Sequence, residues 1–267
     1  MFKLCFFLWR RADFSHRQFA DYYENNHAPL GASLSPPMPD YRRNYPEWEG
    51  GEAPSEALSF DVMTQIWHKR REDFANQLAI MTRSPAKETI STDEARFMNR
   101  DRQLFLALDE RGFPAPGFET DHKQEDHGSG YKMLRFVKAQ DDLSIALFRD
   151  RYEAEIAPRL GVGSNVKGYR RSYALLDDEY SFSGGAQNIL PIDPAATVFD
   201  MIEEFWLPEG FDEDQIAQLH RKGIDAGLVD DQRTFRCRAR ECRSPGGQFA
   251  APFHAQQKVS NAVAVEA

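Results

Sequence analysis

The 267-residue chain carries a formal charge of −9, so it lacks the basic stripe that nucleic-acid phosphates or an anionic membrane surface would need. Twenty Phe, nine Tyr and four Trp supply large apolar surfaces for a core or a pocket. Three cysteines, Cys5, Cys237 and Cys242, are too few for a disulfide framework, which points to a reducing, cytoplasmic setting.

Residues 3–9 form a short apolar run bounded by charge and predict a buried strand. Arg10 and Arg11 follow the run rather than precede it, and its length is far below a membrane span, so it fits neither a secretory leader nor an anchor. Ser15 caps the next helix, whose apolar face carries Phe19, Tyr22 and Tyr23, with Asn26 on the same spacing. Pro29 and Gly31 are expected to end that helix or to begin an irregular turn. Residues 40–45 alternate as a strand, residues 46–59 are rich in Gly, Pro and Glu and read as a loop, and residues 60–67 are a third strand. Residues 69–97 carry helical patterning interrupted near Ser84-Pro85, and residues 102–108 are a fourth strand.

Residues 112–130 have no apolar period and read as a linker, after which the same series returns. Lys132 aligns with Lys3, Ser144 with Ser15, Phe148 with Phe19, Tyr152 with Tyr23 and Glu153 with Glu24. YRRSY at 169–173 repeats YRRNY at 41–45, and FDMIEEFW at 199–206 repeats FDVMTQIW at 60–67. A helix over 212–226 and a strand over 234–243 complete the second copy. The predicted organisation is a domain at 1–111, a linker at 112–130, a degenerate copy at 131–245 and a tail at 246–267. Each βαββαβ unit makes a four-stranded antiparallel sheet with both helices on one face. The expected fold class is therefore α+β, two ferredoxin-like units packing sheet to sheet as a pseudo-dimeric barrel, with a cavity between the sheets. Such a fused chain could still pair with a second copy.

The pattern Ser15-x3-Phe19-x3-Tyr23-x3-His27-Ala28-Pro29-Leu30, followed by YRRNY and FDVMTQIW, resembles the EthD-domain family of the dimeric α+β barrel group. The resemblance covers residues 1 to about 110 well and 131 to about 245 as a degenerate copy. It implies a cavity enzyme without an organic cofactor, akin to muconolactone isomerases and to aromatic polyketide cyclases and dehydratases. It also implies that His27 and Tyr41 are polar site groups. The sequence departs from the family where an acid is common on the third strand. The first copy has Gln65 there, while the second copy has Glu204 but replaces the histidine with Ile156.

Strand alternation aims Asp61, Gln65 and Trp67 at the cavity, and Asp200, Glu204 and Trp206 likewise. On the second strand Tyr41, Arg43 and Tyr45 share one face and Arg42 and Asn44 the other, and alternation does not say which face is inside. His27 is the general acid/base candidate, because imidazole exchanges protons near neutral pH. Tyr41 could donate to a developing enolate oxygen. Tyr23, Asn44, Asp61, Gln65, Trp67, Glu204 and Trp206 are the candidate substrate-binding residues, with Phe7 as a further apolar wall. Several have a plainer alternative: a helix-end cap for His27, core packing for Tyr41, Trp67 and Trp206, and a structural ion pair to Arg42 or Arg43 for the recurring Asp61 and Asp200. Asp121, His122, Glu125, Asp126 and His127 could ligate a metal but suit a solvated linker better. Gly161 and Gly163 lack dinucleotide-binding context.

The expected function is a lyase, isomerase or cyclase of dehydratase-like acid–base chemistry, needing no cofactor, on a hydrophobic aromatic or polyketide-like carbonyl compound. The rival readings are a binding protein for an apolar metabolite and a barrel-type oxygenase with or without haem. The loops at 46–59 and 174–196 are candidate lids.

Overall fold

The computed structural model describes residues 2–82, 85–113, 130–159, 165–183, 190–192 and 197–244. The expected tail and nearly all of the linker, with its His and acidic residues, lie outside the described residues, as do Gly161 and Gly163. The first half contains β1 (Phe2–Arg10), α1 (His16–Tyr22), α2 (Ala28–Leu34), β2 (Asp40–Glu47), β3 (Val62–His68), α3 (Arg71–Met81), α4 (Ala86–Phe97) and β4 (Met98–Phe113). The second contains β5 (Gly130–Val137), α5 (Ile145–Glu155), β6 (Gly168–Ala174), the short β7 (Phe182–Ser183) and β8 (Leu190–Pro191), β9 (Met201–Pro208), α6 (Asp214–Asp225) and β10 (Phe235–Arg243).

The strands run antiparallel in the order β4-β1-β3-β2 in one half and β10-β5-β9-β6 in the other, which is the ferredoxin-like order twice over. Two further pairings join these sheets at their edges, β4 to β6 and β10 to β2. The eight strands therefore close into a barrel with no free edge in the ring. The chain is an α+β barrel of two ferredoxin-like units.

Closure depends on a strand longer than its apolar pattern indicates. Residues 102–108 look like the whole of β4, but it runs sixteen residues. Its first part pairs with β1, and Leu108–Phe113 pairs with β6 of the other half. β10 does the same in reverse, pairing with β5 and then with β2.

The barrel interior is divided along its length. At one end Cys5, Phe7, Met63, Leu106, Leu134, Phe136 and Ile202 form an apolar cluster. At the other, charged side chains are paired about a pseudo-twofold axis. Lys3 Nζ donates to Glu110 and Glu204 at 2.8 Å each, and its equivalent Lys132 pairs with Glu204 at 2.7 Å and with Glu241. Trp67 Nε1 donates to Glu110 at 3.0 Å, as Trp206 Nε1 does to Glu241 at 3.4 Å. The guanidinium groups of Arg42 and Arg170 each lie over both indole rings. Gln65 and Glu204, which are equivalent positions, meet here, with Gln65 Nε2 donating to Glu204 Oε1 at 2.7 Å. Two carboxylates at that separation could not both ionise. A fused chain escapes the conflict by having Gln in one copy and Glu in the other.

Helices cover the outer faces. Ser15 and Gln18 form a capping box at α1, Gln18 N–H donating to Ser15 Oγ at 3.2 Å and Ser15 N–H to Gln18 Oε1 at 2.9 Å. Contrary to expectation, Pro29 and Gly31 do not end this helix. Tyr23–His27 widens to a π turn in which Ala28 N–H reaches Tyr23 O, and the helix then continues to Leu34. The wider turn takes up the missing N–H and ring bulk of Pro29. The second Arg and the last Tyr of the repeated YRR(N/S)Y motif serve the scaffold. Arg43 and Tyr45 both bind Glu24, at 2.6 Å from Arg43 Nη2 and 2.6 Å from Tyr45 OH, and Arg171 and Tyr173 bind Glu153 in the same way.

Candidate active site

The pocket beside His27 is not between the sheets. It lies on the outer face of the first sheet, beneath α2, α3 and α4, and has a volume of about 340 Å³. Phe6, Leu8, Thr64, Ile66, Gln103 and Phe105 form its floor, and Phe182 of β7 stacks on Phe105 at 4.4 Å. The second half thus adds one wall to the first half's pocket.

His27, Tyr23 and Tyr41 all line this space. The π turn carries His27, and Asp93, a residue that no sequence motif marks, holds it. His27 Nδ1 is 2.8 Å from Asp93 Oδ2 on α4, and Asp93 Oδ1 accepts from Tyr22 OH at 2.7 Å. Burial pushes the Asp93 carboxyl up, but hydrogen bonds from His27 and Tyr22 outweigh it and hold the group below its ordinary value. A carboxylate there assigns the Nδ1–H tautomer to His27 and leaves Nε2 as the ring nitrogen for a ligand. The imidazole is wedged between the rings of Tyr23 and Phe97, at 5.0 and 5.1 Å.

Tyr23 OH lies 3.0 Å from Thr64 Oγ1 and 3.4 Å from Tyr41 OH. Burial raises the pKa of both phenols; Tyr23 raises Tyr41 further, while the contacts with Thr64, Tyr41 and Arg43 only partly offset the rise at Tyr23, so both are protonated donors at neutral pH. Glu94, one residue beyond Asp93, also lines the pocket, and burial pushes its carboxyl up. Neither acid is announced by the sequence, because α4 presents a largely polar pattern with no motif.

The remaining candidates are elsewhere. Asn44, Gln65, Trp67, Glu204 and Trp206 point into the barrel, on the opposite side of the sheet from His27. Asn44 Nδ2 donates to Met63 O at 3.1 Å and Gln65 Oε1 at 3.2 Å, and the others belong to the charged network. The alternation was right about which residues share a face, but the pocket adjoins the other face. Asp61 is also separate. Its Oδ2 accepts from Arg10 N–H at 2.8 Å, and Asp200 accepts from Ala139 N–H at 2.9 Å in the second copy. Asp61 further pairs with Arg10 and His16 rather than with Arg42 or Arg43. The recurring aspartates therefore tie down a strand end. Phe7 packs in the interior apolar cluster. Of the candidate lids, the 46–59 loop borders a different, open groove with Asp61, and part of 174–196 lies outside the described residues.

In the second half the space beside the His27-equivalent position is taken up by side chains, and a pocket of about 270 Å³ lies between Arg135, Ile216 and His220 instead. Arg135 replaces Phe6 and Glu203 replaces Thr64, and these two pair at 2.9 Å. Tyr152 donates to Glu203 at 2.8 Å, Tyr169 also binds it, and Ile156 is buried where His27 would be. Among the described residues, no three His, Cys, Asp or Glu side chains converge as a metal site, and no helix is long and apolar enough to cross a membrane.

Gly31 lies one turn beyond His27 on the pocket wall, and a Cβ built there meets no atom within 4 Å. Gly31→Ala should therefore stabilise the helix by about 0.5–1 kcal/mol, read as a higher midpoint of urea unfolding. Gly31→Leu should instead fill the slot and weaken ligand binding at unchanged fold.

The EthD domain family model matches residues 11–101. Among solved structures, a candidate monooxygenase from Lactobacillus acidophilus NCFM superposes with a TM-score of 0.50 at 8% identity, covering 93% of this chain and 97% of that one. An anthrone oxidase-like protein superposes at 0.49 with 9% identity, covering 94% and 95%. At such identities the likeness concerns the fold. No curated protein is a significant match in sequence.

Proposed function

We propose, from the match of residues 11–101 to the EthD domain family model, that the chain is an acid–base enzyme of the lyase, isomerase or cyclase type acting on an apolar, ring-shaped carbonyl compound. The observation that carries the reading is the His27–Asp93 pair at 2.8 Å on the wall of a largely apolar pocket. Nε2 of His27 takes a proton from the carbon next to the substrate carbonyl. The C–H electron pair moves into the enolate, and Tyr41, with Tyr23 behind it, donates a hydrogen bond to the oxygen. Asp93 stabilises the imidazolium that forms. Returning the proton to another carbon completes an isomerisation. Returning it to a departing β-hydroxyl releases water and completes a dehydration. The apolar walls hold the ring and exclude water, which strengthens these interactions.

The first step can be read without knowing the second. 2-Tetralone, a two-ring ketone, is incubated with the protein in D2O and its α-hydrogens are followed by NMR. Accelerated exchange that is lost in His27→Ala supports the reading. Binding without exchange, over a panel of ring ketones, would make the protein a carrier. Oxygen uptake accompanying turnover would move it to the oxidases or oxygenases, with the same deprotonation as first step.

A further inference from the structure

We propose that Glu94 is the general acid of the site, giving its proton to a departing hydroxyl while His27 keeps the proton it has taken from carbon, so that the reaction is an elimination of water. The inference rests on the acid–base reading above and names the group that acts in its second step. Glu94 follows Asp93 on α4, but the two side chains serve different places. Asp93 lies behind the imidazole, bound to Nδ1 at 2.8 Å, and takes no part in the pocket wall. Glu94 lies on the wall itself, in a helical stripe with Lys87, Ile90 and Ser91 at three- and four-residue spacing. Its side chain is 21% exposed, so the carboxyl has surface to offer a ligand. In the second half none of the three groups stands at a pocket. Arg11 N–H donates to Phe97 O at 2.9 Å and Gln140 N–H to Leu228 O at 3.1 Å, which aligns Phe97 with Leu228. Counting back, Ile224 takes the place of Asp93 and Asp225 that of Glu94. Ile224 packs on the apolar cluster that holds Ile156, and Asp225 is exposed.

The surroundings of Glu94 leave its acid proton available. Among the described residues the carboxyl has one ion-pair contact, Arg100 Nε at 3.6 Å from Oε2, which is beyond hydrogen-bond reach, and Arg100 Nη2 turns to Ser91 Oγ at 3.4 Å. Its charged neighbours are His27 on the π turn, Asp93 on its own helix and Arg100 on β4, with Lys87 two turns away along the stripe. Burial outweighs His27 and Arg100 and holds the carboxyl above its ordinary 4.5, which raises the fraction that carries a proton. Charge on His27 acts the other way. When the imidazole gains a proton, Glu94 becomes a stronger acid, so each transfer favours the other. His27 Nε2 takes the proton from the carbon next to the carbonyl, and the C–H electron pair becomes the C=C bond. The C–O bond breaks with its electrons on oxygen, which takes the Glu94 proton and leaves as water. The imidazolium proton then returns to the Glu94 carboxylate through solvent, which resets both groups.

The test incubates 3-hydroxy-1-tetralone with the full chain in D2O. NMR follows deuterium gained at carbon 2, and absorbance follows the 1-naphthol formed on loss of water. Glu94→Gln keeps the shape of the side chain but has no acid proton. It should lower naphthol formation about 10²–10⁴-fold while deuterium still enters carbon 2 within about threefold of the wild-type rate. Retained exchange also shows that the variant is folded with His27 in place. 3-Fluoro-1-tetralone carries a leaving group that departs as fluoride and needs no proton, so Glu94→Gln should form naphthol from it within about tenfold of the wild-type rate. Glu94→Ala takes the place of the glutamine variant should that one fail to fold. Undiminished loss of water in Glu94→Gln would overturn the proposal. So would an equal loss of water elimination, fluoride elimination and exchange in a folded variant, since Glu94 would then support the site rather than protonate the leaving group. Wild type that exchanges carbon 2 but forms no naphthol would overturn this proposal alone and leave His27 as the base of an isomerase. Wild type that neither exchanges nor eliminates would refute the acid–base reading as well.

Discussion

Replacing His27 by alanine is expected to lower turnover by about 10²–10⁴-fold while leaving the unfolding midpoint close to wild type. The imidazole lines the pocket and is partly exposed, so its loss opens space rather than breaking the core. Asp93→Asn is the sharper test of the geometry. It keeps the shape of the contact at 2.8 Å but offers an amide where the carboxylate accepted the Nδ1 proton. The ring is then free to take the other tautomer, which places a hydrogen on Nε2 and removes the base. Activity should fall by a factor similar to that of His27→Ala, and the double variant should be little worse than either single one, because the two residues act as a unit. A fully active Asp93→Asn would remove Asp93 from the site. Tyr22→Phe, which deletes the other hydrogen bond to Asp93, should have a smaller effect in the same direction.

Glu204→Ala should destabilise the protein by about 3–5 kcal/mol in urea titrations, because it leaves Lys3 and Lys132 buried without a shared carboxylate. The pH dependence follows from the same contacts. Burial pushes the Glu204 carboxyl up, but Lys132 and Lys3 outweigh it and hold the group far below its ordinary 4.5. A carboxyl depressed on folding stabilises the native state fully above its unfolded value and loses that contribution as pH falls toward the folded value. Wild type should therefore lose stability on acidification below about pH 4.5, and Glu204→Gln should show a shallower loss over the same range, measured as the urea midpoint against pH. Gln65→Glu should also be destabilising at neutral pH, since it sets a second carboxylate 2.7 Å from the first. An unchanged midpoint in Gln65→Glu would show that the two positions relax apart.

The doubled architecture was legible in the chain. Repeated blocks at 15–30, 41–45 and 60–67 have to pack in equivalent ways, and their Glu–Arg–Tyr and Asp–backbone contacts do recur in both halves. Period-two alternation correctly grouped Met63, Gln65 and Trp67 on one face and Val62, Thr64 and Ile66 on the other. It could not say which face adjoins a pocket. In a closed barrel covered by helices every residue of β3 is buried, so no polar face marks the outside. The sequence by itself determined two matched units, a histidine in only one of them, and the tyrosines beside it. Tertiary structure alone decided the rest. It brought Asp93 to His27 across 66 positions, placed Glu94 on the same pocket, and used the polar end of β4 to close the ring. Those contacts join segments far apart in sequence through single side chains, and a single Asp, Gln or Glu on a polar helix or strand end carries no local period from which its partner can be read.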